Sequence, residues 1–366
     1  MSNLQKFIND SGVTNYRVLF KQMLHKSPYH LKYSLDDKRP DLLMIYCTEL
    51  SDLDNAVVNE CNGIVLNKNT LDIISNGMGK LLKIDVNKLL EMGPTFEKIE
   101  ESEDGTIIKV FFWNDEWIVS TNRRIDSSRT KWASKKSFME LFEMHFKFDL
   151  QETLFETLDN NFTYTFILAS PLHFHVVPHH KSHVTFISRR CNTTFLENNE
   201  GKPNWSEYPN KVTFDAALEN IQTDRKLDKR GVVFTCSSGK RYIVDYKWFE
   251  FAVNLRYNMP SLKLSYIACT KYERHDFRRI YDASNENATV FDNIDLSLEN
   301  LVNFTYNLYR ESYVKKMYRI PKDQPILNIT TRLHNIYRQC KEPITIQTVA
   351  DVIEKTSVDL LSFLIL

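Results

Sequence analysis

Between residues 41 and 245 the sequence keeps returning to one device, a short run of β-branched and aromatic residues closed off by polar or prolyl ones. Asp41-Leu-Leu-Met-Ile-Tyr46, Gly63-Ile-Val-Leu66, Leu71-Asp-Ile-Ile74, Thr106-Ile-Ile-Lys-Val-Phe-Phe112 and Glu116-Trp-Ile-Val-Ser120 read as strands, the last two as a hairpin about Asn114-Asp115. Phe162–Leu168, His173–Val177, Val184–Ser188, Gly231–Thr235 and Arg241–Asp245 continue the pattern. Strands of this kind need a layer to pack on. The spacing of Phe138, Leu141, Phe142, His145, Phe146 and Leu150 predicts one or two helices within Trp132–Leu158 to supply it. From about Pro260 the period turns helical, as in Leu298, Leu301, Phe304 and Leu308 and in Val349 with Ile353. The expected fold class is α+β: antiparallel sheets with flanking helices over residues 1–258, then a mostly helical C-terminal domain over 259–366. A length of 366 residues is enough for two such cores.

Lys+Arg and Asp+Glu each number 47, so no global field draws the molecule to a polyanion, and any such site must be a local patch. The start, MSNLQKFINDSG, has none of the features of a secretory signal, and no apolar run is long enough to span a bilayer. An intracellular, cytoplasmic protein without membrane contact is expected. Cys47, Cys61, Cys191, Cys236, Cys269 and Cys340 form no CxxC pair, which argues against a zinc knuckle or a disulfide framework. Asn161-Phe-Thr and Asn192-Thr-Thr are read as chance sequons.

The chemistry is expected around Glu101-Ser102-Glu103-Asp104-Gly105, which resembles the Lys-x-Asp-Gly motif of covalent nucleotidyltransferases. Upstream, Cys61-Asn-Gly-Ile-Val-Leu66 and Gly79-Lys-Leu-Leu82 resemble an Arg-Gly-apolar strand and a Lys-Phe-Phe step. Downstream, Ser120-Thr-Asn-Arg-Arg124 with Trp132, Tyr164-Thr-Phe-Ile-Leu-Ala-Ser-Pro171, Lys229-Arg-Gly-Val-Val233 and Ile243-Val-Asp-Tyr-Lys-Trp-Phe249 follow in the order and spacing of the remaining motifs. An Asp-Gly pair alone is a common turn; seven motifs in series carry a resemblance to the phage-type RNA ligase 1 family over about residues 40 to 255. That resemblance implies a ligase-type nucleotidyltransferase domain and ATP-dependent sealing of RNA.

The departures alter the implied function. In such a ligase a lysine amine of depressed pKa attacks the α-phosphate of ATP. Here that position is Ser102, a hydroxyl with no evident base, since strand alternation turns Glu101 and Glu103 away from it. The arginine of the Arg-Gly strand is replaced by Asn62, two glutamates by Ile167 and Arg230, and the paired lysines of the last motif by Ile243 and Asp245. The loss of both lysines removes cations on which phosphoryl transfer depends, and an aspartate beside a triphosphate would repel it. Gly63, Lys80, Asp104, Gly105 and Gly231 remain, and they are read as structural: glycines for turns, Asp104 for an Asx-turn on its own backbone. Lys98 precedes the motif and Lys109 lies several residues beyond it, so neither is expected to replace the missing amine.

Arg123, Arg124, Arg129, Lys131, Lys135 and Lys136, with Trp132 among them, form a basic track suited to single-stranded RNA. Five of the ten histidines fall within 171–183, but their spacing fits no zinc pattern and no metal is expected. The aromatic stretch 303–319 reads as an amphipathic core helix, with RNA contact as its alternative. The apolar run Ser357–Leu366 reads as a buried final helix, with a docked protein partner as its alternative. The expected function is a non-catalytic RNA-binding or assembly protein with no cofactor. One alternative is an ATP- and Mg²⁺-dependent RNA ligase or repair enzyme with a displaced nucleophile; another is a protein-interaction module without RNA affinity. A viral origin would fit the Asn-, Lys- and Ile-rich composition.

Overall fold

In the computed structural model the described residues are 2–145, 155–224, 228–282 and 285–366. The strands, in chain order, are β1 (Lys32–Leu35), β2 (Leu42–Tyr46), β3 (Asn62–Asn67), β4 (Ile73–Ser75), β5 (Leu82–Lys83), β6 (Lys98–Ser102), β7 (Thr106–Trp113), β8 (Glu116–Thr121), β9 (Phe162–Ala169), β10 (His183–Cys191), β11 (Gly231–Thr235) and β12 (Arg241–Asp245). They form three sheets, ordered β1-β2-β3-β4, β5-β12-β11-β6 and β10-β9-β7-β8. Every pairing is antiparallel except β12 with β5. The α+β expectation with antiparallel sheets and a helical C-terminal region therefore holds.

The β7–β8 hairpin turns where expected, with Asn114 and Asp115 both at positive φ, the geometry whose twist matches the flanking strands. Its alternation sets the two faces of the third sheet. Ile108 and Val110 pack with Phe138, Leu141 and Phe142 of the helix Phe138–His145. On the other face Phe111 joins Leu42, Met44 and Val65 of the first sheet. Ile107 and Lys109 share that second face and are left to line a cavity.

Two expectations change. The helix predicted within 132–158 begins only at Phe138, while Phe146 and Leu150 lie outside the described residues. His173–Val177 is not a strand but part of the loop between β9 and β10. Its amides Val176 N and Val177 N donate to the Asp104 carboxylate, so no ladder forms there.

The chain divides into two compact units, Met1–Glu250 and Phe251–Leu366. The second contains the helices Leu262–Ala268, Lys271–Tyr281, Asn285–Tyr309, Ile326–Cys340, Ile346–Glu354 and Val358–Ile365. Thr270 and Glu273 form a capping box at the start of Lys271–Tyr281. Tyr266, Phe277 and Phe291 pack as a buried aromatic group, joined by Leu298, Leu301, Val349 and Ile353 among the buried residues. Phe304, expected inward, is exposed, and the last helix buries Leu361 while leaving Phe363 outside. No helix among the described residues is long and apolar enough to cross a membrane.

Candidate functional site

Between the sheet of β6 and β11 and the sheet of β7, β9 and β10 lies a cavity of about 240 Å³. Asn62, Lys80, Ser102, Gly105, Ile167 and Arg230, scattered in sequence, all line it. Gly63, Asp104, Gly231 and Asp245 lie immediately behind that lining, and Ile243 is buried in the sheet opposite Val233.

Strand register explains how the altered motif positions meet. Ser102 at the end of β6 pairs with Gly231, and Arg230 N donates to Ser102 O at 2.8 Å. Gly231 in turn pairs with Asp245, so close that a side chain there would run into the carbonyl of Val244. This register sets Arg230 beside Asp245: Nε reaches Oδ1 at 2.8 Å, while Lys83 Nζ reaches Oδ2 at 3.3 Å. Asp245 was expected to repel a phosphate. Its charge is instead neutralised by two cations, because antiparallel pairing brings the two reversed motif positions together.

Ser102 itself has little to activate it. Among the described residues its hydroxyl makes a single long contact, 3.5 Å to Glu103 O. Glu100, Glu101 and Glu103 contribute to the cavity lining with Ser102, and Glu103, which lies beyond the end of β6 where strand alternation no longer holds, reaches Thr185 of β10 rather than turning away. Even so, neither neighbour is a free base. Glu101 accepts from Asn210 Nδ2 at 3.0 Å. Glu103 is held by Lys229 at 2.8 Å, His183 at 2.9 Å and Thr185 at 2.6 Å. Burial alone would raise the Glu103 carboxyl, but these three hydrogen bonds outweigh it and hold the group well below the usual carboxylate range. The same hydrogen bond, working against burial, raises His183.

Asp104 does not cap its own turn as expected. Its Oδ2 accepts from Val176 N at 2.7 Å and Val177 N at 3.0 Å, and its carbonyl accepts from His179 Nε2 at 2.7 Å. Gly105 is likewise not a positive-φ glycine; a side chain there would strike Ile167 and the carbonyl of Leu168. The turn is thus built by distant partners. Behind it the histidines form a row: His173 Nδ1 lies 2.9 Å from His175 Nε2, and ring centroids are 5.1 Å apart from His175 to His179 and 5.3 Å from His179 to His183. Glu103, His183 and Glu207 could offer a metal three ligand atoms within 4.8 Å of one another. The Lys229 ammonium already occupies the Glu103 carboxylate, which disfavours a cation there.

Lys109, not expected to replace the missing amine because of its distance along the strand from the motif, is brought into the site by the fold. It is fully buried yet lines the same cavity as Ser102, because β7 runs back along the cavity wall. Its Nζ donates to Asn62 O at 3.0 Å and to Gly63 O. Its stem lies against Gly77, where a Cβ would collide with Lys109 Cδ, and a Cβ on Gly63 would collide with the amine. Burial pushes the amine down to about 7. The signal available in the sequence was a lone lysine in an otherwise apolar strand, together with Gly63, Gly77 and Gly79 in a chain of only nine glycines.

The predicted RNA track lies apart from this lining. Arg123, Arg124, Arg129, Lys131, Trp132 and Lys135 are exposed and Lys136 half-buried, on an irregular segment with one short turn at Ser127–Arg129. Arg129 contacts Asp37 at 3.4 Å, but among the described residues the other five cations form no salt bridge. Arg123 also borders a hollow shared with His25, His30 and Lys32.

No protein-family model matches the chain. An immediate-early protein ICP-46 homologue of invertebrate iridescent virus 6 is 25% identical over 270 residues, covering 67% of this chain and 59% of that protein. A protein of Autographa californica nuclear polyhedrosis virus, named as a bifunctional polynucleotide kinase/RNA ligase, is 25% identical over 174 residues, covering 44% of this chain and 23% of that protein. The chain therefore spans less than two thirds of the length of either viral relative. Among solved structures, an archaeal ATP-dependent RNA ligase matches over 97% of this chain and 98% of its own, at 13% identity and a TM-score of 0.45. The chain is thus similar in sequence to viral proteins, one of them named for RNA ligation, and an ATP-dependent RNA ligase is among its structural neighbours.

Proposed function

We propose that this chain is an RNA-ligase-like protein that binds RNA without carrying a nucleotidyl group on Ser102. The observation that carries this reading is the Arg230–Asp245 ion pair beside Ser102. At the two positions where the resemblance implies a glutamate and a lysine, the charges are interchanged and satisfy each other. Neither is then free to hold a metal or to neutralise a phosphate, which is what phosphoryl transfer requires of such groups. RNA contact is assigned to the exposed cations of 123–136, with Trp132 as the stacking surface. A protein partner on the helical unit remains the assembly side of this proposal.

A second reading has one specific observation in its favour: the Lys109 amine is depressed far enough to be partly neutral and lines the same cavity, so it is the candidate for a displaced nucleophile. One experiment separates the two. The protein is incubated with ATP and Mg²⁺ and its intact mass compared with that of a control lacking ATP; an unchanged mass is expected. An AMP adduct mapped to Lys109 would establish the second reading. In parallel, single-stranded RNA is titrated at increasing salt. Binding whose logarithmic salt slope falls by about 0.7 for each phosphate-contacting cation removed from 123–136 is expected, and no binding at low salt would overturn the RNA assignment.

A further inference from the structure

The overall charge balance conceals one lopsided stretch. Between Asp10 and Asp36 the sequence has no acidic residue, yet it carries Arg17, Lys21, Lys26 and Lys32 with His25 and His30. Aromatic residues are spaced among them, at Tyr16, Phe20, Tyr29 and Tyr33. Cations interleaved with rings suit a single strand of nucleic acid, which offers phosphates and bases in alternation. A merely solvated face would have the same composition; the placement of the charges separates the two.

Local packing turns the cations outward. The helix Tyr16–Leu19 runs into a wider turn, Phe20–Leu24, which buries Leu19, Phe20 and Leu24 and leaves Arg17, Lys21 and His25 exposed. β1 follows as the edge strand of its sheet, with Lys32 and Tyr33 exposed. Two adjoining hollows result, which share His25 and Lys32. Arg123 borders the first, and Arg17, Lys21 and Tyr33 border the second. Among the described residues that line them Glu49 alone is acidic, and Arg17, Lys21, Lys32 and Arg123 form no salt bridge.

The same sheet edge joins this face to the basic segment 123–136. Ser34 Oγ of β1 donates to Arg123 O at 3.0 Å, which fixes Arg123 at the strand. The two ends of β1 then differ. Past its C-terminal end the cations are neutralised: Lys38 pairs with Asp126 at 3.1 Å, Arg39 with Glu116 at 2.6 Å and Arg129 with Asp37 at 3.4 Å. A polyanion leaving the segment at Arg123 therefore meets paired charge toward that end and unpaired positive charge toward Lys32. There Tyr33 offers a ring. The residue is 39% exposed, packed on Phe20 with centroids 4.6 Å apart and edge-on to Tyr16 at 5.7 Å. A ring braced in this way has little freedom left to lose when a base stacks on it.

We propose that single-stranded RNA continues from Arg123 onto this N-terminal face, its phosphates following Lys32, Lys21 and Arg17 and one base stacking on Tyr33. The inference rests on the RNA reading of 123–136 and extends its path to residues that precede the region of ligase resemblance.

The test is titration of the whole protein with a single-stranded RNA oligomer of about 15 nucleotides across a salt series, with polyglutamate and phosphatidylserine vesicles as rival ligands. With Arg17→Gln, Lys21→Gln and Lys32→Gln combined, the logarithmic salt slope is expected to become shallower by about 2, at about 0.7 for each lost phosphate contact. Tyr33→Ala is expected to weaken binding about tenfold at an unchanged slope, and Tyr33→Phe to keep the parent's affinity. Photo-cross-linking of the parent protein to a thiouridine-substituted oligomer reads the same contact without a variant, and a cross-linked peptide containing Tyr33 is expected. RNA binding that responds to substitutions within 123–136 but is unchanged in the triple variant would sink this inference alone, as would the absence of any cross-link before residue 36. Polyglutamate or vesicles that displace RNA at equal charge would also overturn it, making the face a dock for an acidic protein or a lipid surface. No RNA binding at low salt would sink the reading beneath it as well.

Discussion

The two walls of the cleft handle charge in opposite ways. On the β6–β11–β12 wall and the turn that follows it, ionic groups are paired within the protein: Arg230 and Lys83 with Asp245, Lys98 with Glu100, Lys229 and His183 with Glu103. On the β7–β9 wall Lys109 is buried, its amine donating to the backbone carbonyls of Asn62 and Gly63 with no carboxylate paired to it among the described residues. The resemblance to RNA ligases would place the reactive groups on the first wall. The first wall pairs its charges internally except for Arg241 of β12, which forms no salt bridge among the described residues, whereas the buried lysine of the second wall has no carboxylate partner among them.

The largest expected effect comes from the unpaired wall. The Lys109 amine sits at about 7 when folded against an ordinary 10.5, so between those values the unfolded chain binds the extra proton. Stability should therefore rise with pH across that window, on the order of 5 kcal/mol for the full shift, and Lys109→Met should flatten the rise in chemical denaturation at a series of pH values. An equally steep profile in the variant would place the titration elsewhere.

Glu103→Gln comes next, because it leaves the Lys229 ammonium in a half-buried position without its counter-charge; a loss of about 3 kcal/mol is expected. The Glu103 carboxyl lies below its ordinary 4.5, so its contribution is complete above that value and is lost as pH falls below it. The variant should show a shallower acid limb than the parent. The smallest effect belongs to Asp245→Ala, which strands Arg230 and Lys83; both are partly in water, so about 1–2 kcal/mol is expected. If the pair is a true interchange, Arg230→Glu combined with Asp245→Arg should recover part of that loss, and strict additivity of the two substitutions would break the comparison.

What could be read in advance follows from how local each signal is. The β7–β8 hairpin was legible because its turn residues and its alternation lie within a few positions of each other. The α+β class and the helical C-terminal region followed from a change of period that needs no partner to be seen. Ser102, Arg230 and Asp245 could be singled out by motif order, yet their pairing could not, since it depends on a strand register that only the β6–β11–β12 ladder reveals. His173–Val177 misled for the same reason in reverse: its composition suits a strand, but the amides of Val176 and Val177 are claimed by Asp104 and that of Phe174 by Ala133 O. Lys109 was set aside by counting residues along β7, whereas what places it is the fold of β7 against β3 and the absence of side chains at Gly63 and Gly77.

The Asp104 anchor also orders events in time. The turn beside Ser102 is completed by an amide 72 positions further along the chain, and a loop of that span closes slowly compared with the microsecond formation of a two-residue hairpin. The strand bearing Lys109 can thus find β8 early, while the mouth of the cleft must wait until β9 has docked and the following loop has arrived. The amide protons of Val176 and Val177 then become reporters of the finished cleft: they lose protection when that long closure opens, whether or not the hairpin beneath it is still intact.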